Sequence, residues 1–445
     1  MSDGRGDPGR RRARRITLVN QFYPPDVSPT AHLTASLAEH LAGRGDRVTV
    51  LTGGEGYTGL PSGPGALRDG AGVRVVHLWT PALGKGSIAK RLSDYVSFLA
   101  GATARLLVLR RQDVVISLTT PPFVVTAAVA HGLLHPRTRV VLWSMDCYPD
   151  VIEELGSRTR AGAADDGVRR GVGVLARRIA SLRKGGPLSQ ALRSVNRLLF
   201  RRVDHIVALD RSMATLLVEG YGSDDGSHPP ATVIPNWERA DAFPAGPPPA
   251  PWSDYATDPV LAGRFVVLYL GNLGYGHDVR TVVAAVASLA PDEGVAWLFV
   301  GGGVRRPELD GRVAAAGAAD RLVTRDYVPK EETSGVMAGA GCALIVLADE
   351  ALGLMSPSKL HSNLAAGLPI LYVGPEGSNV DVAIAEFGCG VSLRTDDVDG
   401  LVAAVRRLRD DRAWRAELSA AARRAFEQAY CDRATLPLWD AVLDA

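Results

Sequence analysis

The residues with chemical potential in this chain cluster where short apolar runs end. The stretch Leu354–Pro369, LMSPSKLHSNLAAGLP, brings Ser356, Ser358 and Lys359 together. Ser356 is a good helix N-cap, Pro357 suits the first helical position, and Gly367 with Pro369 stops the helix after about three turns. Unpaired N–H groups at such an end, the Ser358 hydroxyl and the Lys359 ammonium make an anion site. Only five of the 50 basic residues are lysines, so a lysine at this point stands out; the plainer alternative is a capped helix with a solvated lysine. The loop Gly271–Gly276, GNLGYG, also follows an apolar run, and its glycines let backbone approach a ligand closely. Asn272 lies in it and His277 opens the next helix, where the imidazole either donates to a phosphate or caps. The glycine order is GxxGxG rather than GxGxxG, which argues against a dinucleotide fingerprint. Gly301–Gly303 is a second tight strand end. On the other half of the chain, Tyr23–His32 (YPPDVSPTAH) is a stiff loop that carries Ser28, Thr30 and His32, and Asp146 in SMDCYPD sits just past another apolar run. His32 as a structural histidine and Asp146 as a turn residue are the bland alternatives.

The elements needed to position these groups follow from an alternation of short apolar runs with longer helical patterns, the signature of a parallel α/β sheet. Strands read at Ile16–Phe22, Arg47–Thr52, Val73–Leu78, Asp113–Leu118, Arg139–Ser144 and Asp204–Leu209. A segment crowded with prolines (Pro244, Pro247, Pro248, Pro249, Pro251, Pro259) then interrupts the pattern, because proline suits neither helix interiors nor central strands. A second alternating unit begins at Arg264 and continues through Val295–Gly301, Leu322–Tyr327, Ala343–Leu347 and Pro369–Val373. The expected layout is a disordered basic tail at 1–15, a Rossmann-like unit at 16–240, a linker at 241–262, a second Rossmann-like unit at 263–412, and helices at 413–445 packing back toward the first unit. Two such units face one another across a cleft, and ligands of open α/β sheets sit outside the carboxyl ends of the strands. The candidate residues all fall there.

Composition narrows the partners. A net charge of +2 over 445 residues gives no field for nucleic acid. Four scattered cysteines, with no CxxC pair, argue against a disulfide framework or a zinc cluster and fit a reducing cytoplasm. The longest apolar run, Phe123–Leu134, is too short to span a bilayer. The segment 169–202 is basic and amphipathic, with Arg193, Arg197, Arg201 and Arg202 among Leu and Val; such a face either lies on anionic lipid or is an ordinary solvated helix surface.

The two Rossmann-like halves, Ile234-Pro235-Asn236 before the linker, YLGNLG, PSK…AAGLPI, the late turn Gly377–Val380, and FYPPD…H…LAEHLAGRGDRVTVLT together resemble GT-B glycosyltransferases of family GT4, in the branch of colanic-acid and O-antigen enzymes. The likeness covers about residues 16–430. It implies retaining transfer of a sugar from a nucleoside-diphosphate sugar, with no metal and no cofactor beyond that co-substrate. The donor would lie mainly on the second unit and the acceptor on the first. The diphosphate would be held by Ser356, Ser358 and Lys359 with Asn272 and His277, and the nucleotide by Tyr327, Val328, Pro329 and Ser362. Glu350 would touch the donor sugar. His32 and Asp146 would orient the acceptor or stabilise charge at the reacting centre, with Ser28 and Thr30 on the acceptor side. This chain departs from the family's EX7E motif, because Leu354 and Ser362 stand where its acids belong; an unusual donor sugar or an inactive nucleotide-sugar-binding relative would account for that. The acceptor is either a lipid-linked glycan or a small secondary metabolite, glycosylated through oxygen or sulfur. A nucleotide-sugar epimerase of similar layout is the other enzyme class. The expected location is the cytoplasm, peripheral at the inner membrane face.

Overall fold

The computed structural model describes residues 12–26, 28–53, 72–81, 88–153, 186–222, 226–244 and 249–445. In chain order the first unit holds β1 (Arg15–Val19), α1 (Pro29–Gly43), β2 (Arg47–Gly53), β3 (Val73–Leu78), α2 (Ile88–Val108), β4 (Val114–Ser117), α3 (Val125–Leu134), β5 (Arg139–Trp143), α4 (Pro187–Phe200), β6 (His205–Ala208), α5 (Arg211–Tyr221) and β7 (Ala231–Val233). The second holds β8 (Phe265–Leu270), α6 (Arg280–Ser288), β9 (Val295–Val300), α7 (Arg306–Ala315), β10 (Leu322–Arg325), α8 (Lys330–Ala338), β11 (Cys342–Val346), α9 (Lys359–Ala365), β12 (Ile370–Val373), α10 (Asn379–Phe387), β13 (Gly390–Leu393), α11 (Val398–Asp410) and α12 (Arg412–Ala425), before α13 (Asp432–Asp444) closes the chain.

The strands form two sheets, in the orders β3-β2-β1-β4-β5-β6-β7 and β10-β9-β8-β11-β12-β13. Every pairing is parallel, for example Ile16↔Val48 on one side of β1 and Ile16↔Val114 on the other. Helices cover both faces of such a sheet, so its strands must be apolar throughout. β9, VAWLFV, is buried at all six positions. The order reverses between β1 and β4 in the first sheet and between β8 and β11 in the second, which opens a crevice at each point. The structure is thus α/β, a GT-B arrangement of two Rossmann-like domains. β7 and β13, too short and mixed to read from sequence, are the added edge strands.

The domains are joined twice. The chain leaves the first at Ile234–Arg239 and returns alongside: Glu238 pairs in parallel with Cys431, its N–H donates to Tyr430 O at 3.1 Å, and Asp432 N–H donates to Glu238 O at 3.0 Å. Of the segment 413–445 expected to pack back, α12 instead stays on the second domain against α9, α10 and α11, and only α13 crosses. Trp439 of α13 is fully buried, edge-on to Trp143, which stacks on Trp237. Polar bonds fix the helix in place: His40 Nε2 lies 2.9 Å from Asp440, Arg44 pairs with Asp440 and Asp444, and Arg14 donates to Leu443 O at 2.7 Å. α13 is therefore part of the first domain's core although it follows the second domain in sequence.

Candidate active site

Lys359 is the centre of the second domain's crevice. Its Nζ donates to Asn272 O at 3.0 Å, lies 3.4 Å from His277 Nε2, and sits 4.9 Å from the centre of the Tyr269 ring. His277 Nδ1 is 3.1 Å from Gly274 O. A carbonyl can only accept, so Nδ1 carries the proton and Nε2 accepts from the ammonium. Burial and the neighbouring Lys359 charge push the imidazole down to about 3, which keeps it neutral. Burial lowers the Lys359 ammonium to about 8. The walls are glycine by necessity. A Cβ on Gly301 would stand 2.5 Å from Gly271 O, and one on Gly303 2.3 Å from Leu273 O, both at strongly positive φ. Two strand-end loops thus lie backbone against backbone, and Leu273 N–H donates to Gly302 O at 2.8 Å.

The serines differ from the expectation. Helix α9 begins at Lys359, not Pro357, and runs seven residues with Ser358 at its cap position and no side-chain cap bond. Ser356 is no cap; its hydroxyl bonds Asp210, the residue whose carboxylate caps α5 of the first domain through Met213 N at 2.8 Å. Ser358 is exposed beside Lys359. The helix end is as read: Gly367 is left-handed, and Leu368 N–H reaches back to Asn363 O at 3.0 Å.

Of the nucleotide-side residues, Tyr327 is 64% exposed with its ring edge over Gly302, followed by the half-buried Val328 and exposed Pro329. Ser362 is turned onto its own helix, 3.4 Å from Lys359 O. Glu350 is exposed in the single turn Asp349–Ala351.

Across the cleft, Asp146 is held against the loop that precedes α9. It pairs antiparallel with Met355, Cys147 N–H donates to Leu354 O at 3.0 Å, and Cys147 Sγ lies 3.2 Å from Gly353 O. The Asp146 and Met145 amides are both fixed by the Thr119 hydroxyl, at 3.2 and 3.0 Å. Burial raises the Asp146 carboxyl to about 6. Met355 in turn packs where a side chain on Gly276 would stand, one residue from His277. Asp146 and Lys359 are therefore linked through a short chain of contacts. His32 is not part of it: it is exposed at the start of α1, its proton affinity lowered by burial and by the charges of Lys330 and Arg239. Ser28 is withdrawn from the acceptor side. It is 2% exposed, capping α1 through Ala31 N and bonded to the Thr30 hydroxyl at 3.2 Å.

Two participants escaped the sequence, and a third, Leu354, has a packing role that the sequence did not show. Leu354, standing where the family motif has an acid, is 3% exposed and belongs to the first domain's core. Asp210 follows a strand and precedes a helix, a cap signal that was available. Glu238, where the chain leaves the first domain, faces the Lys330 charge, and burial raises its carboxyl to about 7; nothing local marks it. The basic segment 169–202 falls partly outside the described residues. Within α4, Arg193 points inward, 2.5 Å from Asp150 and 2.8 Å from Glu153, so it is no lipid-facing residue. No helix among the described residues is long and apolar enough to cross a membrane.

Residues 30–237 match the glycosyl transferase 4-like domain. The probable glycosyltransferase WbjE of Pseudomonas aeruginosa is 27% identical over 222 residues, covering 48% of this chain and 52% of that protein. The match thus spans about half of that relative's length. The putative colanic acid biosynthesis glycosyl transferase WcaI of Escherichia coli K12 is 23% identical over 419 residues, 88% of this chain and 91% of that one. Among solved structures, Anabaena HepE in complex with UDP and glucose superposes with a TM-score of 0.65 at 12% identity, over 97% of this chain and all of that chain. Residues 30–237 thus match the glycosyl transferase 4-like domain, and the whole chain shares the GT-B fold, two Rossmann-like domains, with these solved structures.

Proposed function

We propose that this protein moves a sugar from a nucleoside-diphosphate sugar to an acceptor, with retention at the anomeric carbon and without a metal ion. The observation that carries the reading is Lys359: an ammonium set in a crevice of glycine backbone, braced by a neutral histidine, at the switch point of an open sheet. Such a group offsets the charge of a departing diphosphate, and HepE, of like fold, was solved with UDP and glucose. Asn272, His277 and Ser358 complete the diphosphate side, and Tyr327–Pro329 border the base. The C1–O bond to the phosphate breaks, the acceptor oxygen bonds C1 from the same face, and its proton passes to the leaving phosphate. Asp146, across the cleft, stabilises positive charge on the sugar in its ionised form. Leu354 and Ser362, in place of two acids, also suit a relative that binds nucleotide sugars without turnover; incubation with an acceptor and detection of released nucleotide separates the two.

The reading is tested by a thermal-shift panel of nucleoside diphosphates, since a ligand that binds only the folded chain raises its melting temperature. At least one diphosphate gives a clear shift, and Lys359→Ala weakens its binding by about 10- to 100-fold while the unliganded protein still melts cooperatively. An unchanged shift in that variant overturns the assigned anchor. Turnover in the presence of a chelator equals turnover without it; chelator-sensitive transfer refutes metal independence.

A further inference from the structure

The second domain holds a cavity of about 300 Å³ at the amino-terminal edge of its sheet. One wall is the start of β8 at Phe265 and Val266 with the turn Gly339–Gly341 that leads into β11; another is Leu368 and Pro369, which lead into β12. A side chain on Gly339 or Gly341 would collide with the rings of Tyr255 and Phe265, so this part of the wall is bare backbone. Helix α12 closes the remaining side with Arg415 and Ser419. Small-molecule sites run upward from about 300 Å³, whereas one water occupies about 30 Å³, so the space exceeds what a single structural water fills.

Two half-buried guanidinium groups line it. Arg264, one residue before β8, donates from Nη1 to Asp320 O at 3.2 Å. Arg415 donates from Nη1 to Leu408 O at 2.7 Å and lies 5.4 Å from the centre of the Phe265 ring. Those bonds occupy one nitrogen of each fork and fix where it stands, leaving the other N–H donors unspent. Among the described residues neither arginine pairs with a carboxylate, and the Asp320 carboxylate is taken by Arg321 at 3.1 Å. Ser419, one turn along α12 from Arg415, brings a hydroxyl with no hydrogen-bond partner among the described residues. Two positive charges held at one small space with no acid between them repel each other and favour an anion there.

We infer that this cavity is a second anion site, which takes the phosphoryl group of a small molecule between Arg264 and Arg415, with the Ser419 hydroxyl on a third oxygen. Donors arriving from two separate segments suit a tetrahedral dianion; a carboxylate is satisfied by a single fork. The site lies at the opposite ends of the strands from Lys359, so its occupant does not compete for the cleft. This inference does not depend on the sugar-transfer reading.

The test is isothermal titration calorimetry on the full chain carrying Lys359→Ala, which removes the cation of the cleft. Inorganic phosphate, glycerol 3-phosphate and acetate are the ligands. Both phosphoryl compounds bind and acetate does not; tighter binding of glycerol 3-phosphate identifies an ester as the occupant, and equal binding identifies the free ion. Added to that background, Arg264→Gln and Arg415→Gln each raise the Kd at least about tenfold, and Ser419→Ala raises it about three- to tenfold. Arg406→Gln, on the same domain but paired with Glu293, leaves it unchanged. Arg415 also holds the carboxyl end of α11, so Arg264→Gln and Ser419→Ala, which touch no such bond of that helix, keep the test decisive if Arg415→Gln does not fold. Absence of phosphoryl binding in the Lys359→Ala chain overturns the proposal, as does an affinity that a normally melting Arg264→Gln chain retains. Acetate binding as tightly as phosphate equally overturns it.

Discussion

Asp146 and Lys359 set the pH range in which the proposed chemistry works. The carboxylate must be ionised to stabilise positive charge, and its proton leaves at about 6; the ammonium must stay charged to hold the diphosphate, and burial has it titrate at about 8. A plot of kcat/KM against pH should thus rise through about 6 and fall through about 8, since this parameter reports the free enzyme. Lys359→Arg moves the alkaline limb out of range. The same burial has a cost in stability. A carboxyl whose folded pKa is raised binds its proton more tightly in the folded state, so stability is lost as pH climbs from about 4 to about 6. Asp146→Asn should therefore melt higher than the parent at pH 7.5 and with it at pH 3.5, while kcat drops about 10²- to 10³-fold. Equal melting temperatures at both pH values would remove burial as the cause of the shifted carboxyl.

At the scale of elements, the loops after β8, β9 and β11 decide the site, and they differ in how much substitution they tolerate. Gly303→Ala drives a Cβ to within 2.3 Å of fixed backbone at a φ of +131, a clash with no soft partner, and should abolish the diphosphate-induced shift and lower the melting temperature by about 5 °C or more, a loss of about 2 kcal/mol. Gly276→Ala meets the flexible end of Met355 instead and should cost much less. The contrast was only partly legible in the sequence. Strands buried on both faces print continuous apolar runs, so eleven of the thirteen strands among the described residues could be placed within a residue or three. Lys359, Asn272 and His277 could be placed because strand-end loops in an open sheet converge. Ser356 misled because cap preference is local, whereas its hydroxyl is claimed by Asp210, 146 positions earlier in the chain. Leu354 shows the opposite limit: besides standing where the family motif has an acid, it fills the other domain's core, a role that only the contact between domains defines. Leu354→Ala should destabilise by about 2–5 kcal/mol and weaken the hold on Asp146, which shows as a further loss of kcat at saturating donor.

At the scale of the molecule, both domains are tied through two adjacent chain crossings and the bridge between Asp146 and Met355. The crossings lie side by side at Glu238 and Cys431, which is hinge geometry, while the bridge lies on the reacting side. Any separation of the domains must then break Cys147–Leu354 and Ser356–Asp210 before the cleft can widen. The domain that holds Asp146 would be withdrawn from Lys359 in the same motion, so opening and loss of the assembled site are one event.

The crossing of α13 also bears on how the gene product matures. Trp439, which packs against Trp143 and completes the first domain's interior, is synthesised only after the whole second domain. The amino-terminal half, although synthesised first, cannot finish folding until α13 has emerged as well. Expressed alone as residues 12–240 it should be aggregation-prone, and a peptide spanning 432–445 supplied in trans should rescue its solubility.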